Sequence, residues 1–342
     1  MMEAVGDLDA GGLTGWMAAN VAGFAGPLRY AKFPGGQSNP TYRIDAASGA
    51  YVLRRKPFGP LLPSAHAVER EYRLIAALHP TGFPVPRPYG LCEDDGVVGS
   101  AFYVMALVEG VTHWDGSLPG MTPARRTATC HAMVDRLAQL HAIDPAAVGL
   151  GDYGKPGGYF ERQVALWTRQ YRLAQTGDLA EAERLIEWLP RSLPVQTRTT
   201  IVHGDYRIDN LIFDTERPRV RAVLDWELST LGDPMADLSY LLMSWLLPAD
   251  GAAAIGGLAG EATGIPPIEA MVERYCAATG REGIPDLDWY FAFGQFRLMS
   301  IVQGIKKRVI DGNASNARAR ETAERVPELA ANAWHFAKLA GA

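Results

Sequence analysis

HGDYRIDN, His203 to Asn210, followed by a second carboxylate at Asp225 in AVLDWE, is the stretch on which the reading of this chain turns. Asp205 and Asn210 stand five residues apart on a loop between the apolar runs IVHG and LIF. After the turn TERPRV the next strand ends at Asp225, and hairpin pairing brings that carboxylate back beside Asn210. Transfer of a phosphoryl group asks little covalent work of a protein. It asks for a carboxylate to orient the acceptor hydroxyl and for oxygen ligands to hold Mg²⁺ on the phosphates. In that reading Asp205 accepts or orients the hydroxyl proton, while Asn210 and Asp225 ligate Mg²⁺. Asp and Asn also cap strands and make turns, which is the plain alternative for any one of them. The ordered triple, with apolar strands between its members, favours the chemical reading.

Neighbouring residues leave alternatives open. His203 either braces the loop backbone or packs as an ordinary histidine. Asp237, in GDPMADLSYLL, accepts hydrogen bonds from the loop or faces solvent. Arg207 either neutralises charge on the transferring phosphoryl or is a surface arginine.

Upstream, Tyr30 to Phe33, the turn PGGQSNP, TYRID, the turn AASG and YVLRR give a strand–turn–strand–turn–strand pattern. A helix follows in SAHAVEREYRLIAALHP, with Val68, Tyr72, Ile75 and Leu78 in one stripe and Pro80 at its end. FPVPRPYG reads as an extended connector and AFYVMALVEG as a buried strand. A short amphipathic helix is expected over 13–24, and helices at about 122–142, 156–176, 178–189, 234–247, 267–279, 287–311 and 316–339. A β-rich island around 200–227 interrupts them. GAAAIGGLAG reads as a loop or weak helix.

The Gly35–Gly36 pair lets backbone N–H groups approach phosphate oxygens, although Gly-Gly between strands is usually a hairpin turn. Arg54, at the end of the following strand, is a permanent cation suited to phosphates. Glu71 borders the inward stripe of the helix, whereas Glu69 points more toward solvent. A carboxylate on that inward edge is costly unless paired, and Arg54 is its natural partner.

With 342 residues, 48% of them hydrophobic and 21% charged, the chain reads as an ordinary globular protein long enough for two lobes. A net charge of −5 argues against a nucleic-acid partner and gives no reason to expect an anionic membrane. Cys92, Cys130 and Cys276 are far apart, which points away from a disulfide framework or zinc site and toward a reducing cytoplasm. The acidic start MMEAVGDLDAGG lacks the basic opening of a signal peptide. The longest apolar run, LSYLLMSWLLP, falls short of the ~20 residues that span a bilayer.

Nearly the whole chain resembles the aminoglycoside phosphotransferase and choline kinase family, which shares the protein-kinase-like fold. HGDYRIDN is similar to that family's HGDxxxxN loop, and AVLDWE to its strand ending in the metal-binding aspartate. The resemblance implies an α+β fold, with an antiparallel-sheet nucleotide lobe (1–108), a larger helical lobe (109–342) and a cleft between. It implies Asp205 as the catalytic aspartate and Asn210 and Asp225 as Mg²⁺ ligands; Arg207, two positions after Asp205, is the candidate beside it from its charge. It places ATP against Gly36, Ser38, Arg54 and Glu71, with adenine at the backbone of Ala106 and Val108. Arg55 or Lys56 takes the place of Arg54 if the strand register slips. WELSTLGDPMADLSYLL and FRLMSIVQGIKKRVIDGNASN look most like the phosphotransferase domain fused to some acyl-CoA dehydrogenases, implying hydroxyacyl-CoA as the small-molecule acceptor. The cluster Arg297, Lys306, Lys307 and Arg308 suits an anionic substrate or, alternatively, is a solvated helix end. A nucleotide-binding pseudokinase that regulates a partner, and an aminoglycoside or amino-alcohol kinase, are the alternatives.

Overall fold

The computed structural model describes residues 8–34, 39–59, 66–249, 252–313 and 319–342. In chain order the first elements are α1 (Ala10–Asn20), β1 (Leu28–Lys32), β2 (Thr41–Ala46), β3 (Gly49–Arg55), α2 (Val68–Leu78), β4 (Pro88–Cys92), α3 (Asp95–Val98) and β5 (Phe102–Ala106). Then come α4 (Pro123–Ala142), α5 (Tyr159–Ala174), α6 (Ala180–Trp188), β6 (Thr200–Val202), β7 (Leu211–Phe213), β8 (Val220–Val223) and β9 (Thr230–Gly232). The chain ends with α7 (Met235–Leu242), α8 (Ile268–Thr279), α9 (Leu287–Ile310), α10 (Ala319–Glu324) and α11 (Val326–Leu339). The elements pack as two compact units. One comprises Met1–His113, Ala146–Leu150 and Asp209–Ser229; the other comprises Trp114–Pro145, Gly151–Ile208 and Thr230–Ala342.

The first unit is built on a five-stranded antiparallel sheet in the order β1-β2-β3-β5-β4. Alternation along β2 buries Tyr42 and Ile44, as a sheet with one covered face requires. Leu13 and Met17 of α1, one turn apart, join that core with Leu53, Phe102 and Val104. The helix starts at Ala10 rather than Leu13 because the Asp9 side chain accepts the N–H groups of Gly11 and Gly12. The last part of the expected connector FPVPRPYG becomes β4. It is an edge strand, the position in a sheet that tolerates proline. The β7–β8 hairpin packs with this unit, its Val223 N–H bonded to Pro84 O at 2.8 Å.

The second unit is mainly helical. Phe160 of α5 meets Trp289 and Phe293 of α9 edge-on, with ring centroids 5.2 Å apart in each pair. The short strand β9, not anticipated from its three residues, pairs antiparallel with β6. The helix expected over 316–339 is interrupted at Arg325, and α11 begins with Pro327 in its first turn. Proline has no N–H to give to a preceding turn, so an unbroken helix through it is disfavoured. In GAAAIGGLAG, residues 252–260 form turns and bends. All three cysteines are free and buried. Among the described residues no helix is long and apolar enough to cross a membrane.

Candidate active site

Within the first unit, Arg54 collects three carboxylates. Its Nε lies 3.0 Å from Glu71 Oε2, and its Nη2 lies 2.8 Å from Asp225 Oδ1 and 3.2 Å from Glu227 Oε2. The two other basic residues of that strand end go elsewhere. Arg55 turns to the opposite face of β3, where its guanidinium lies 3.7 Å over the Phe58 ring and bonds Tyr42 Oη. Lys56 pairs with Glu69 at 2.9 Å. Strand alternation therefore aims Arg54 at Glu71, in the register where Arg54 faces Thr41.

Glu71 is 2% exposed and accepts hydrogen bonds from Asn39 Nδ2 (2.8 Å) and Tyr103 Oη (3.1 Å). Burial pushes its pKa up to about 7; Arg54 and the Tyr103 bond oppose the rise, while Asp225 and Glu227 add to it. Burial works against the charge of Arg54, yet the surrounding carboxylates hold its pKa above the usual arginine value.

The β7–β8 hairpin sets Asn210 and Asp225 at adjacent ends. Leu211 pairs with Val223, and the Leu224 N–H donates to Asn210 O at 2.9 Å. Asp225 sits in the left-handed region (φ 63°, ψ 62°), a conformation that Asp tolerates better than most side chains and that clusters at functional sites. The side chain of the next residue, Trp226, is anchored by Nε1–H to Val223 O and lies edge-on to Phe83. Among the described residues no group of three or more His, Cys, Asp or Glu side chains forms a ready metal cage. One carboxylate and one amide oxygen fit Mg²⁺, which keeps several waters and leans on phosphate oxygens. Three carboxylates around one guanidinium also leave negative charge for a divalent ion to offset.

The motif HGDYRIDN is divided between the units: His203 to Ile208 belong to the second, Asp209 and Asn210 to the first. In the second unit the loop is held from below by Asp237, which is fully buried and accepts the N–H groups of His203 (2.6 Å) and Gly204 (2.8 Å). Of the two readings of Asp237, the structure thus gives the loop acceptor. His141 Nε2 approaches the same carboxylate at 3.3 Å while its Nδ1 meets Tyr275 Oη at 2.7 Å. Although burial disfavours its charge, these donors keep the Asp237 pKa below the usual carboxylate value. His203 braces the loop: its Nδ1 accepts the Asp205 N–H at 3.2 Å. Gly204 takes φ 86°, where a side chain would be strained.

Asp205 is approached by Arg207, Nε to Oδ1 3.7 Å, and its charge, after burial, helps push the Tyr240 hydroxyl pKa above the usual tyrosine value. Sequence reasoning missed Tyr240, His141 and Tyr275. Tyr240 lies inside an apolar run, and nothing in periodicity separates a core aromatic from one whose ring meets a guanidinium.

The adenine expectation meets mixed geometry. The Ala106 N–H already donates to Arg87 O at 2.8 Å. Val108 lines a cavity of about 430 Å³ with Ala50, Leu107, Glu109 and Arg221, all in the first unit. Gly36 and Ser38, expected at the phosphates, lie outside the described residues.

The model of the phosphotransferase enzyme family matches residues 29–290. The mouse protein named acyl-CoA dehydrogenase family member 10 is 46% identical over 318 residues, covering 92% of this chain and 30% of its own length. Human acyl-CoA dehydrogenase family member 11 is 37% identical over 336 residues, 96% of this chain and 43% of that protein. The chain thus spans less than half the length of these relatives. A crystal structure from Ralstonia eutropha, named as a candidate aminoglycoside phosphotransferase, superposes with a TM-score of 0.90 at 47% identity, covering 97% of this chain and 99% of that one. Spectinomycin phosphotransferase, solved with ADP and spectinomycin, superposes at 0.61 with 12% identity over 97% of this chain and 99% of that one, a likeness of fold alone. The fold and the matched family agree on one class, kinases that phosphorylate hydroxyl groups. The chain belongs to the phosphotransferase enzyme family.

Proposed function

We propose that the chain is an ATP- and Mg²⁺-dependent kinase that moves the γ-phosphoryl of ATP to a hydroxyl of a small molecule, with hydroxyacyl-CoA as the acceptor class. The observation that carries this reading is Arg54 held among Glu71, Asp225 and Glu227. A guanidinium fixed by a buried carboxylate is preorganised to meet phosphate oxygens. Asn210 and Asp225 hold the metal; when bound, Mg²⁺ neutralises charge on the β- and γ-phosphates. Gly36 and Ser38 are assigned to the phosphates from the sequence PGGQSN alone, and Ala106 and Val108 to the adenine.

Asp205 takes the acceptor's hydroxyl proton as the new O–P bond forms and the bond to the ADP oxygen breaks. The loop anchored on Asp237 and braced by His203 fixes the direction of that carboxylate. Arg207 offsets charge on the transferring group. The acyl-CoA part of the proposal is supported by the relatives named as acyl-CoA dehydrogenase family members.

ADP release with a panel of hydroxyacyl-CoAs, aminoglycosides and amino alcohols tests the proposal, with phosphorus NMR to locate the phosphoester. Turnover confined to hydroxyacyl-CoA is expected. Stabilisation by ATP without turnover on any acceptor contradicts the enzymatic reading.

A further inference from the structure

Arg297 on α9 is placed unlike the other basic residues of its helix. Lys307 pairs with Asp311 at 2.6 Å near the helix end, about 15 Å along the axis at ~1.5 Å per residue. The four cations noted in the sequence are therefore not one site. Arg297 instead sits between rings, its guanidinium carbon 5.5 Å from the Trp167 centroid and 5.0 Å from that of Tyr240. Its Nη2–H donates to Gly204 O at 3.0 Å, one residue before Asp205. Its Nε is buried without a hydrogen-bond partner, and among the described residues no carboxylate reaches ion-pair distance of it.

A half-buried cation normally has an anion beside it, because stripping water from an unpaired charge is expensive. Ring faces return only a small part of that cost. An arginine offers five N–H donors in a planar fork, and the Gly204 carbonyl uses one side of it. What such a fork fits is a carboxylate or phosphate. Gly204, whose carbonyl Arg297 holds, directly precedes Asp205, so an anion on the other side of the fork lies near the reacting carboxylate.

We infer that Arg297, framed by Trp167 and Tyr240, recognises an anionic group on the acceptor and selects charged over neutral substrates. This rests on the kinase reading above and narrows its acceptor class to anions. The charge comes from a carboxylate of the acceptor itself or from phosphates of a carrier such as CoA.

The test compares the full chain with Arg297→Gln and Arg297→Lys, the latter keeping the cation. Four probes share one hydroxyacyl group: hydroxybutyrate, its methyl ester, hydroxybutyryl-CoA and hydroxybutyryl-pantetheine. KM and kcat are measured for each at saturating Mg²⁺-ATP, and equilibrium binding of each probe by calorimetry. Arg297→Gln is expected to weaken the charged probe about tenfold or more against its neutral match, with Arg297→Lys recovering most of the loss. A loss for hydroxybutyrate against its ester assigns the carboxylate; a loss for the CoA thioester against the pantetheine assigns phosphate. Equal effects on charged and neutral probes, as a purely structural bond to Gly204 gives, overturn the inference, as does no effect. If the wild-type chain turns over none of the probes, the hydroxybutyryl group is excluded as its acceptor, while charge-selective binding still decides the role of Arg297.

Discussion

Arg54 Nε lies 3.0 Å from Oε2 of Glu71, an ion pair between the end of β3 and the inward face of α2. The pair has a pH signature because burial raises the Glu71 pKa from 4.5 to about 7. The folded state then holds the proton more tightly than the unfolded chain, so this group favours folding most below its unfolded pKa. That contribution is lost as pH rises from about 4.5 through about 7. Glu71→Gln should flatten this slope, worth on the order of 1–3 kcal/mol across the window. Urea unfolding at pH 5 and pH 7.5 of both proteins reads it directly; identical pH dependence contradicts the assignment.

Asp237 behaves with the opposite sign. Burial works against its charge, yet His141 and the loop N–H groups hold its pKa below the ordinary carboxylate value. Its stabilisation is present at neutral pH and lost as pH falls through the acid range. Replacing it with Asn leaves one of the two loop N–H groups facing the amide NH₂, a donor that cannot accept its hydrogen bond. Asp237→Asn should therefore cost about 2–4 kcal/mol at pH 7, with the difference from wild type shrinking as the pH is lowered toward 3. Denaturant midpoints at several pH values measure this.

Much of this arrangement was legible in the sequence. The β-rich opening, the α2 stripe with Glu71 on its edge, and the HGDYRIDN and AVLDWE strands all came from local patterns. Period and turn chemistry report on a residue's own neighbours, and Glu71 pairs with the nearest strand that offers a cation. What stayed hidden depends on long-range packing. His141 meets Tyr275 across 134 positions and Asp237 across 96, and no local signal joins them. Arg297 showed its charge but not its aromatic frame. The proline-rich segment before β5 read as a connector because strand pairing at a sheet edge is decided by the partner strand.

Mg²⁺ should matter through Asn210 and Asp225. Thermal stabilisation by ATP is expected to grow when Mg²⁺ replaces EDTA. Asn210→Ala and Asp225→Ala are expected to erase the Mg²⁺-dependent part, while Lys56→Ala, whose side chain pairs with Glu69 instead, keeps it. Scanning fluorimetry with each variant gives the answer. An unchanged Mg²⁺ increment in Asp225→Ala removes that residue from the ligand set.

The most direct measurement is phosphoryl transfer by Asp205→Asn under single-turnover conditions with saturating Mg²⁺-ATP and a hydroxyl acceptor. Loss of the proton acceptor should slow the step by about 10²- to 10⁴-fold while nucleotide affinity stays within a few-fold of wild type. A variant that transfers phosphoryl at the wild-type rate contradicts the account.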